Sequence, residues 1–243
     1  MDYNKNDNNN YDIDSIIAAQ ERSMDGDFVA KYITKVYGWM FLALCITASV
    51  SFFTAQSGMV MKLLATNPLI FFGLFIGQLF LVGYLSLRVQ KMSSTTATLV
   101  FLLYAALTGI TLSTIFFRYT NASILSAFSV TAVTFGIMTA VGYFTKKDLT
   151  SFGRLMLMGL IGVIVASVIN IFLGSPVLYW IISYVGVAVF VGLIAYDTQK
   201  IKQYAYLENA EDRKKGAIIG ALALYLDFIN LFLMLLRIFG RKD

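Results

Sequence analysis

Seven long apolar runs limit the fold of this chain more than any other feature of its sequence. They lie near residues 34–57, 68–88, 94–117, 122–144, 152–173, 177–199 and 216–238. A helix needs about 20 predominantly apolar residues to cross the hydrocarbon core of a bilayer. Backbone polar groups find no partner in lipid, and these runs lack the alternation of barrel strands, so each run must be an α-helix. The sequence therefore predicts an all-α integral membrane protein with seven transmembrane helices.

The same runs define the domain organisation. They use most of the 243 residues, which leaves no room for a second soluble domain. Residues 1–30 are rich in Asn and Asp and lack the apolar segment of a signal peptide. We predict that residues 1–30 are a disordered polar tail and that residues 31–243 form the seven-helix transmembrane domain.

The distribution of positive charge predicts the orientation. With a cytoplasmic N-terminus, 14 of the 19 Lys and Arg residues fall on the cytoplasmic side. Such an excess is typical of cytoplasmic loops. Three of the other five, Arg237, Arg241 and Lys242, lie at the C-terminus. The side of the C-terminus stays open, because the last segment either crosses fully or re-enters. The net charge of +5 favours contact with anionic lipid rather than with nucleic acid.

Two residue types that usually carry site chemistry are nearly absent. The chain has no histidine, the commonest general base and metal ligand, and Cys45 is its only cysteine. A single cysteine excludes an internal disulfide and a cysteine-based zinc site. We therefore predict no resident cofactor.

Small residues in the fifth run predict close helix packing. Gly159, Gly162 and Ala166 share one helical face with Asn170. Small side chains let membrane helices approach closely, and an amide can hydrogen-bond to a neighbouring helix. We expect Gly159, Gly162 and Asn170 to support packing, and we expect the same of Asn230 in the last run.

Asp227 is the most anomalous residue of the sequence. It lies in the last apolar run with no other charge between residues 216 and 236. An ionised Asp near the centre of a span costs about 3 kcal/mol even on a lenient insertion scale. Its helical face suits the interior of a bundle, because small and polar residues share it: Gly220, Ala223, Leu224, Asn230 and Leu231. A functional role is favoured over a carboxyl group that only bonds neighbouring helices.

Asp197 is the second carboxylate within an apolar run. It ends the sixth run, and an alternative is that it has no functional role and only interacts with Lys200 or with headgroup water. Spans joined by a short connection are usually neighbours, so Asp197 and Asp227 could meet. Two carboxyl groups within hydrogen-bond reach titrate as a unit, which offers a protein without histidine a route to pH sensitivity.

Three motifs resemble the bacterial branch of the Bax inhibitor family, the transmembrane Bax inhibitor motif proteins. They are DLTSFG at 148–153 with its continuation to residue 173, AYDTQKI at 195–201 and LYLDFINLF at 224–232. The resemblance implies a last helix that is central and surrounded by the other six, and a pH-dependent calcium leak. It also implies that Asp197 and Asp227 are the family's aspartate pair. Arg88 falls on the position of an arginine that latches the closed state, although the residues alone indicate only an interfacial arginine.

The resemblance also implies possible partners and a location. Bacterial relatives lie in the cytoplasmic (inner) membrane, and some are linked to a membrane-bound AAA protease. Eukaryotic relatives damp cell death. The lipid bilayer, calcium and such a protease are therefore the expected partners, and no nucleic acid is expected.

Three hypotheses of function follow. The leading one is a pH-gated calcium leak in which the carboxylate oxygens of Asp197 and Asp227 contact calcium transiently, and protonation or Arg88 closes the path. The second is a regulatory protein that binds a membrane protease or another membrane protein without transport.

The third hypothesis, an intramembrane aspartyl protease, is remote. Such enzymes carry Gly-x-Gly-Asp, whereas residues 225–226 before Asp227 are Tyr and Leu. Neither proline, Pro68 or Pro176, begins a Pro-Ala-Leu motif. We therefore predict that the chain is not an enzyme.

Overall fold

The computed structural model describes the backbone of residues 7–241 and the side chains from residue 25 onward, except those of residues 59, 61, 64, 65, 68 and 71. The described backbone forms eight α-helices, joined by short loops. They are α1 (Asp7–Gln56), α2 (Met59–Thr66), α3 (Pro68–Arg88), α4 (Ser94–Leu112), α5 (Asn121–Phe144), α6 (Thr150–Leu173), α7 (Pro176–Tyr204) and α8 (Ala210–Phe239). Short 3₁₀ turns follow α3 at Val89–Lys91 and α4 at Ser113–Phe117.

Seven of these helices, all except α2, are long and apolar enough to cross a membrane. The predicted all-α membrane fold with seven spans is therefore confirmed. The helix ends differ from the predicted ones most at the start of α1, which begins at Asp7 rather than near residue 34. They also differ around the last loop, since α7 continues to Tyr204 and α8 begins at Ala210. The extra turns contain charged residues such as Lys202 and Glu211, which form helix well but lie outside an apolar run.

The loops between spans end in recognisable helix caps. Ser93, Ser175 and Asn209 each accept a backbone N–H with their side chains at the start of α4, α7 and α8. These residue types are preferred there because the first turn leaves N–H groups without a backbone partner. Pro176 follows Ser175 at the first helical position, where a missing N–H costs nothing.

The short helix α2 was not predicted. It follows Gly58, whose φ of 63° lies in the left-handed region that favours glycine. With only 8 residues, α2 cannot cross the hydrocarbon core, and it packs against the ends of α1 and α3. It is a connection between two spans.

The predicted tail overlaps the first helix. The backbone is helical from Asp7, whereas residues 1–6 lie outside the described part. Val29 is buried in the core, so packing begins slightly before residue 31. The nature of the tail stays a prediction.

The last helix is the most buried one. Within its most apolar stretch, 72% of the residues of α8 are buried, against 44% for α7, the next most buried span. The main packing partners of α8 are α1, α4, α5 and α7, whereas α3 packs on α4 and α6 packs on α7. The expectation that the other six spans all surround α8 is not confirmed.

Glycines allow the closest approaches between the inner helices. A Cβ atom on Gly142 of α5 would run into the backbone of Ala195 in α7. A Cβ on Gly220 of α8 would lie 2.8 Å from Cγ1 of Ile201 in α7. Because apolar burial drives little association between helices in lipid, such contacts carry much of the packing.

We expect Gly142→Ala to destabilise the bundle and Gly136→Ala to leave it nearly unchanged. The first substitution overpacks the α5–α7 contact, at a cost of about 1–3 kcal/mol. Gly136 lies on the same helix but is exposed, and a Cβ there meets nothing within 4 Å. Thermal unfolding of the purified variants in detergent measures the difference.

Equal midpoints for Gly142→Ala and Gly136→Ala would contradict the α5–α7 contact. Gly136→Ala also controls for helix propensity, since Ala is the better helix former by up to about 1 kcal/mol. Any loss common to both variants would then not come from the contact.

Candidate functional site

Asp227 occupies the middle of α8, the most buried span. Its side chain is only 4% exposed, and its Oδ2 atom is buried without a hydrogen-bond partner. A buried oxygen left unpartnered costs about 1–3 kcal/mol, or more when charged. The oxygen is therefore available to a proton, a cation or water.

Asp197 lies against Asp227 across the α7–α8 contact. The two carboxyl groups are neighbours within the range of a side-chain hydrogen bond. Lys200, one turn further along α7, is the cation that interacts with Asp197. The structure thus brings together the two aspartates that the sequence singles out, and one shared proton would remove the repulsion between them. We call this pair the aspartate dyad.

A hydroxyl network holds the helix position next to Asp197. The Tyr37 hydroxyl lies 3.0 Å from Thr139 Oγ1 and 3.2 Å from Thr198 Oγ1. Thr198 also donates to the carbonyl of Ile194 at 2.7 Å. These bonds join α1, α5 and α7 beside the dyad, so they fix the position from which Asp197 reaches Asp227.

A second network fixes α8 two residues before Asp227. The hydroxyl groups of Tyr225 and Thr47 lie 2.7 Å apart, and Thr47 donates to the carbonyl of Ala105 at 2.8 Å. This chain joins α8 to α1 and α4. The Tyr225 ring also packs edge-on against that of Phe101, at a centroid distance of 5.8 Å. The Asp227 carboxyl is therefore presented by a firmly held segment.

The far end of α7 is fastened to the loop that follows α5. Gln199 accepts the N–H of Leu149 and donates to the carbonyl of Lys147, both at 2.8 Å. Lys202 donates to the carbonyl of Tyr143 at 2.8 Å. The sequence analysis missed Gln199 and Lys202 as structural residues. The Gln199 position inside the AYDTQKI motif was the available signal.

Asp148 lies in that loop and differs from the dyad in every respect. It is exposed, and it accepts the N–H of Thr150 at 2.8 Å. Hydrogen bonds from the Thr150 side chain and backbone hold the pKa of Asp148 below its usual value. Asp148 therefore stays ionised around neutral pH.

Arg88 does not contact the dyad in this structure. It is exposed in the last turn of α3, and α3 packs mainly on α4 rather than on α7 or α8. Within the part of the chain whose side chains are described, the ion pairs are Lys214–Glu211 and Lys215–Asp212. The predicted latch contact is thus not formed here.

Of the four residues predicted to support packing, only Gly159 approaches a neighbouring helix closely. Gly159 faces α7, since a Cβ there would lie 2.9 Å from Val189. Gly162 is exposed, and a Cβ would meet nothing within 4 Å. Asn170 accepts the N–H of Ser175 at 2.9 Å, and Asn230 donates to the carbonyl of Leu226 in its own helix at 2.8 Å. Both amides therefore serve local backbone groups rather than a distant helix.

The acidic side chains do not form a closed metal site. Over the described residues, no three acidic or cysteine side chains gather where they could hold an ion. Calcium takes 6–8 oxygen ligands in a resident site. A cation at the dyad would keep much of its coordination from water or backbone.

Comparison with known proteins establishes the family. The family model described as "Inhibitor of apoptosis-promoting Bax1" matches residues 29–243. The chain belongs to the Bax inhibitor family. The sequence-based resemblance is thereby confirmed over nearly the whole chain.

Bacterial members of the family are close relatives. The inner membrane protein YbhL of Escherichia coli is 53% identical over 87% of this chain and 92% of the relative. An uncharacterised protein of Deinococcus radiodurans is 41% identical over 94% of this chain and 97% of its own length. One of Borreliella burgdorferi is 42% identical over 87% and 92%. None of these three names states an enzymatic activity.

We expect cysteines placed at residues 197 and 227 to cross-link. Cys45 is the only native cysteine, so Cys45→Ala gives a cysteine-free background. Asp197→Cys with Asp227→Cys should form an intramolecular disulfide under mild oxidation, because the two side chains are neighbours. Mass spectrometry of peptides from the oxidised protein detects the bond.

The matched control combines Gly162→Cys with Asp227→Cys. Gly162 is exposed on α6, which packs on α7 rather than on α8. Equal cross-linking of both pairs, or none at 197 and 227 in a monodisperse sample, would contradict the dyad geometry.

Proposed function

We propose that this protein is a pH-sensitive calcium leak channel whose gate is the aspartate dyad. The observation that carries the proposal is the Asp227 carboxyl, buried in the most buried span, with Oδ2 unpartnered and Asp197 beside it. A carboxylate at that depth is costly to keep, and intramembrane carboxylates commonly mark ion or proton pathways.

The chemistry of the dyad favours a hard divalent cation. Ionised Asp197 and Asp227 would place carboxylate oxygens side by side, which calcium prefers as ligands. A neutral pair offers no net charge to offset dehydration of the ion. Because the surroundings have a low dielectric constant, the difference between the two states is large. Loss of a proton from the dyad would therefore admit calcium, and its return would exclude it.

The position of the dyad suggests how protons reach it. Asp197 lies about two turns before the end of α7 at Tyr204, at 3.6 residues per turn. Asp197 is thus nearer to the loop between α7 and α8 than to the opposite surface, whereas Asp227 lies near the middle of α8. The positive-inside pattern supports a cytoplasmic location for this loop. Cytoplasmic pH is then the variable that the dyad senses.

The location follows from the family. The Escherichia coli relative is named as an inner membrane protein. We propose the same bacterial membrane for this chain, with a cytoplasmic N-terminus. Arg88 remains a proposed latch that would require α3 to move relative to the dyad.

We expect Asp227→Asn to abolish pH-dependent calcium flux. Asn keeps the size of the side chain but cannot ionise, so the gate would lose its proton-dependent charge. In proteoliposomes, flux through the unmodified protein should rise at least about fivefold between acidic and mildly alkaline pH, and the variant should show no such rise. A calcium-sensitive dye inside the vesicles measures the flux.

Asp148→Asn is the matched control. It makes the same chemical change at an exposed carboxylate that stays ionised around neutral pH. Its flux and pH dependence should equal those of the unmodified protein. Unchanged flux and pH dependence in Asp227→Asn would refute the proposal. Absence of flux combined with co-purification of a membrane protease would instead favour the regulatory binding protein.

A further inference from the structure

A groove opens between three helices at the end of the bundle where α4 and α8 begin. Its volume is about 290 Å³. We call it the α1–α4–α8 groove. It is lined by Lys35 and Trp39 of α1, by Ser94, Thr95, Thr98 and Leu99 of α4, and by Lys214 and Ile218 of α8.

The rim of the groove carries positive charge that is only partly neutralised. The side chains of Lys35 and Lys214 are exposed. Among the described residues, Lys35 has no ion pair, and Lys214 has only a 3.9 Å pair with Glu211, one turn away on the same exposed surface. Exposed pairs of this kind contribute little. Both amines can therefore turn to a bound anion.

The acidic residues near the groove are already engaged. Glu211 accepts the N–H of Ser94 at 2.7 Å and its hydroxyl at 3.2 Å. Asp212 pairs with Lys215 at 3.6 Å. Because Glu211 occupies the start of α4, an anion in the groove would be held by side chains rather than by that helix end.

One hydroxyl group on the rim is free to donate. The Thr98 hydroxyl donates to the carbonyl of Ser94 at 2.9 Å, and the Ser94 hydroxyl donates to Glu211. Thr95 is exposed and makes no hydrogen bond through its hydroxyl among the described residues. The donors toward an anion are therefore Lys35, Lys214 and Thr95.

All three helices change from polar to apolar over one turn. On α1, Lys35 is followed four residues later by Trp39; on α4, Thr95 is followed by Leu99; and on α8, Lys214 is followed by Ile218. Residues four apart lie on the same helical face, one turn deeper. The groove thus has a cationic rim and an apolar inner part, and Leu99 remains 63% exposed there.

We propose that the α1–α4–α8 groove binds an anionic phospholipid. Its phosphate would lie between Lys35 and Lys214 with a hydrogen bond from Thr95, and an acyl chain would follow Leu99 and Trp39. Basic recesses between membrane helices are suited to anionic headgroups, and tryptophan is favoured at the depth where headgroup meets chain. A choline or ethanolamine headgroup would bring a cation toward the lysines. The contacts and charges that support this binding do not depend on the proposed calcium conduction, and neither does its test.

The chain supplies its own probe for this site. It has two tryptophans, and Trp180 lies near the start of α7 at the opposite end of the bundle. Trp180→Phe leaves Trp39 as the only tryptophan. Quenching of Trp39 by brominated phosphatidylglycerol, compared with brominated phosphatidylcholine in otherwise identical vesicles, reports which lipid occupies the groove. We expect the relative association constant to favour phosphatidylglycerol by about fivefold for each lysine involved.

Two double variants separate the groove from general surface charge. Lys35→Gln with Lys214→Gln should lower the preference for phosphatidylglycerol to near one. Lys146→Gln with Lys147→Gln removes the same charge from exposed loop residues outside the groove, and it should keep the preference. All four lysines are exposed, so the variants should fold, which circular dichroism and gel filtration check.

Three results would overturn the assignment. They are equal quenching by both lipids, an unchanged preference in the Lys35/Lys214 variant, or an equal loss in the Lys146/Lys147 variant. Inorganic phosphate at matched ionic strength should leave the preference in place. Its loss would indicate a site for soluble anions and would also overturn the lipid assignment.

Discussion

The buried carboxyl group of Asp227 is the interaction around which the rest of this bundle is organised. A charge at the centre of a span costs about 3 kcal/mol even on a lenient scale. It is placed in α8, the span with the largest buried fraction, where four other spans exclude lipid from it. Asp197 is its polar neighbour, and the Oδ2 atom of Asp227 has no hydrogen-bond partner. This unpartnered oxygen is the observation on which the proposed transport role rests.

Hydrogen bonds and close helix contacts hold α7 and α8 in place around the dyad. Tyr37 and Thr198 connect α1 with α7 on one side of the dyad, and Tyr225 and Thr47 connect α8 with α1 on the other. Gly142 brings α5 against the backbone of α7. Because both helices are held from several directions, these contacts oppose a separation of the two carboxyl groups. In the proposed gate, repulsion between two ionised carboxylates would then be relieved by a cation, by water or by a concerted helix movement.

Much of the fold could be predicted from the sequence, because a span must be long, apolar and helical. The depth of Asp227 followed from the same reasoning. Its pairing with Asp197 was suggested by the short connection between their spans, but the choice of Asp197 as a site residue depended largely on the family motif. Gly162 shows the limit: a stripe of small residues defines a helical face but not the neighbour it meets, and this glycine is exposed. Gln199 lies inside a family motif, but its partners are in a loop 50 residues away, and the motif does not identify them. The latch role of Arg88 was transferred from the family by its position in the sequence, and that position does not tell which helices α3 packs against.

The dyad and the α1–α4–α8 groove share α8, yet they follow different physical rules. Lys214 precedes Asp227 by 13 positions in the sequence. At about 1.5 Å per residue, the two side chains lie roughly 20 Å apart along the helix. At the solvent-exposed start of α8, salt and water screen the electrostatic interactions of a lipid phosphate. The electrostatic interactions of the buried dyad are screened much less. A lipid in the groove can therefore bias the dyad only by holding α8 against α1 and α4. The Tyr225–Thr47–Ala105 chain of hydrogen bonds joins these three helices, so it would connect the proposed lipid site with the proposed gate.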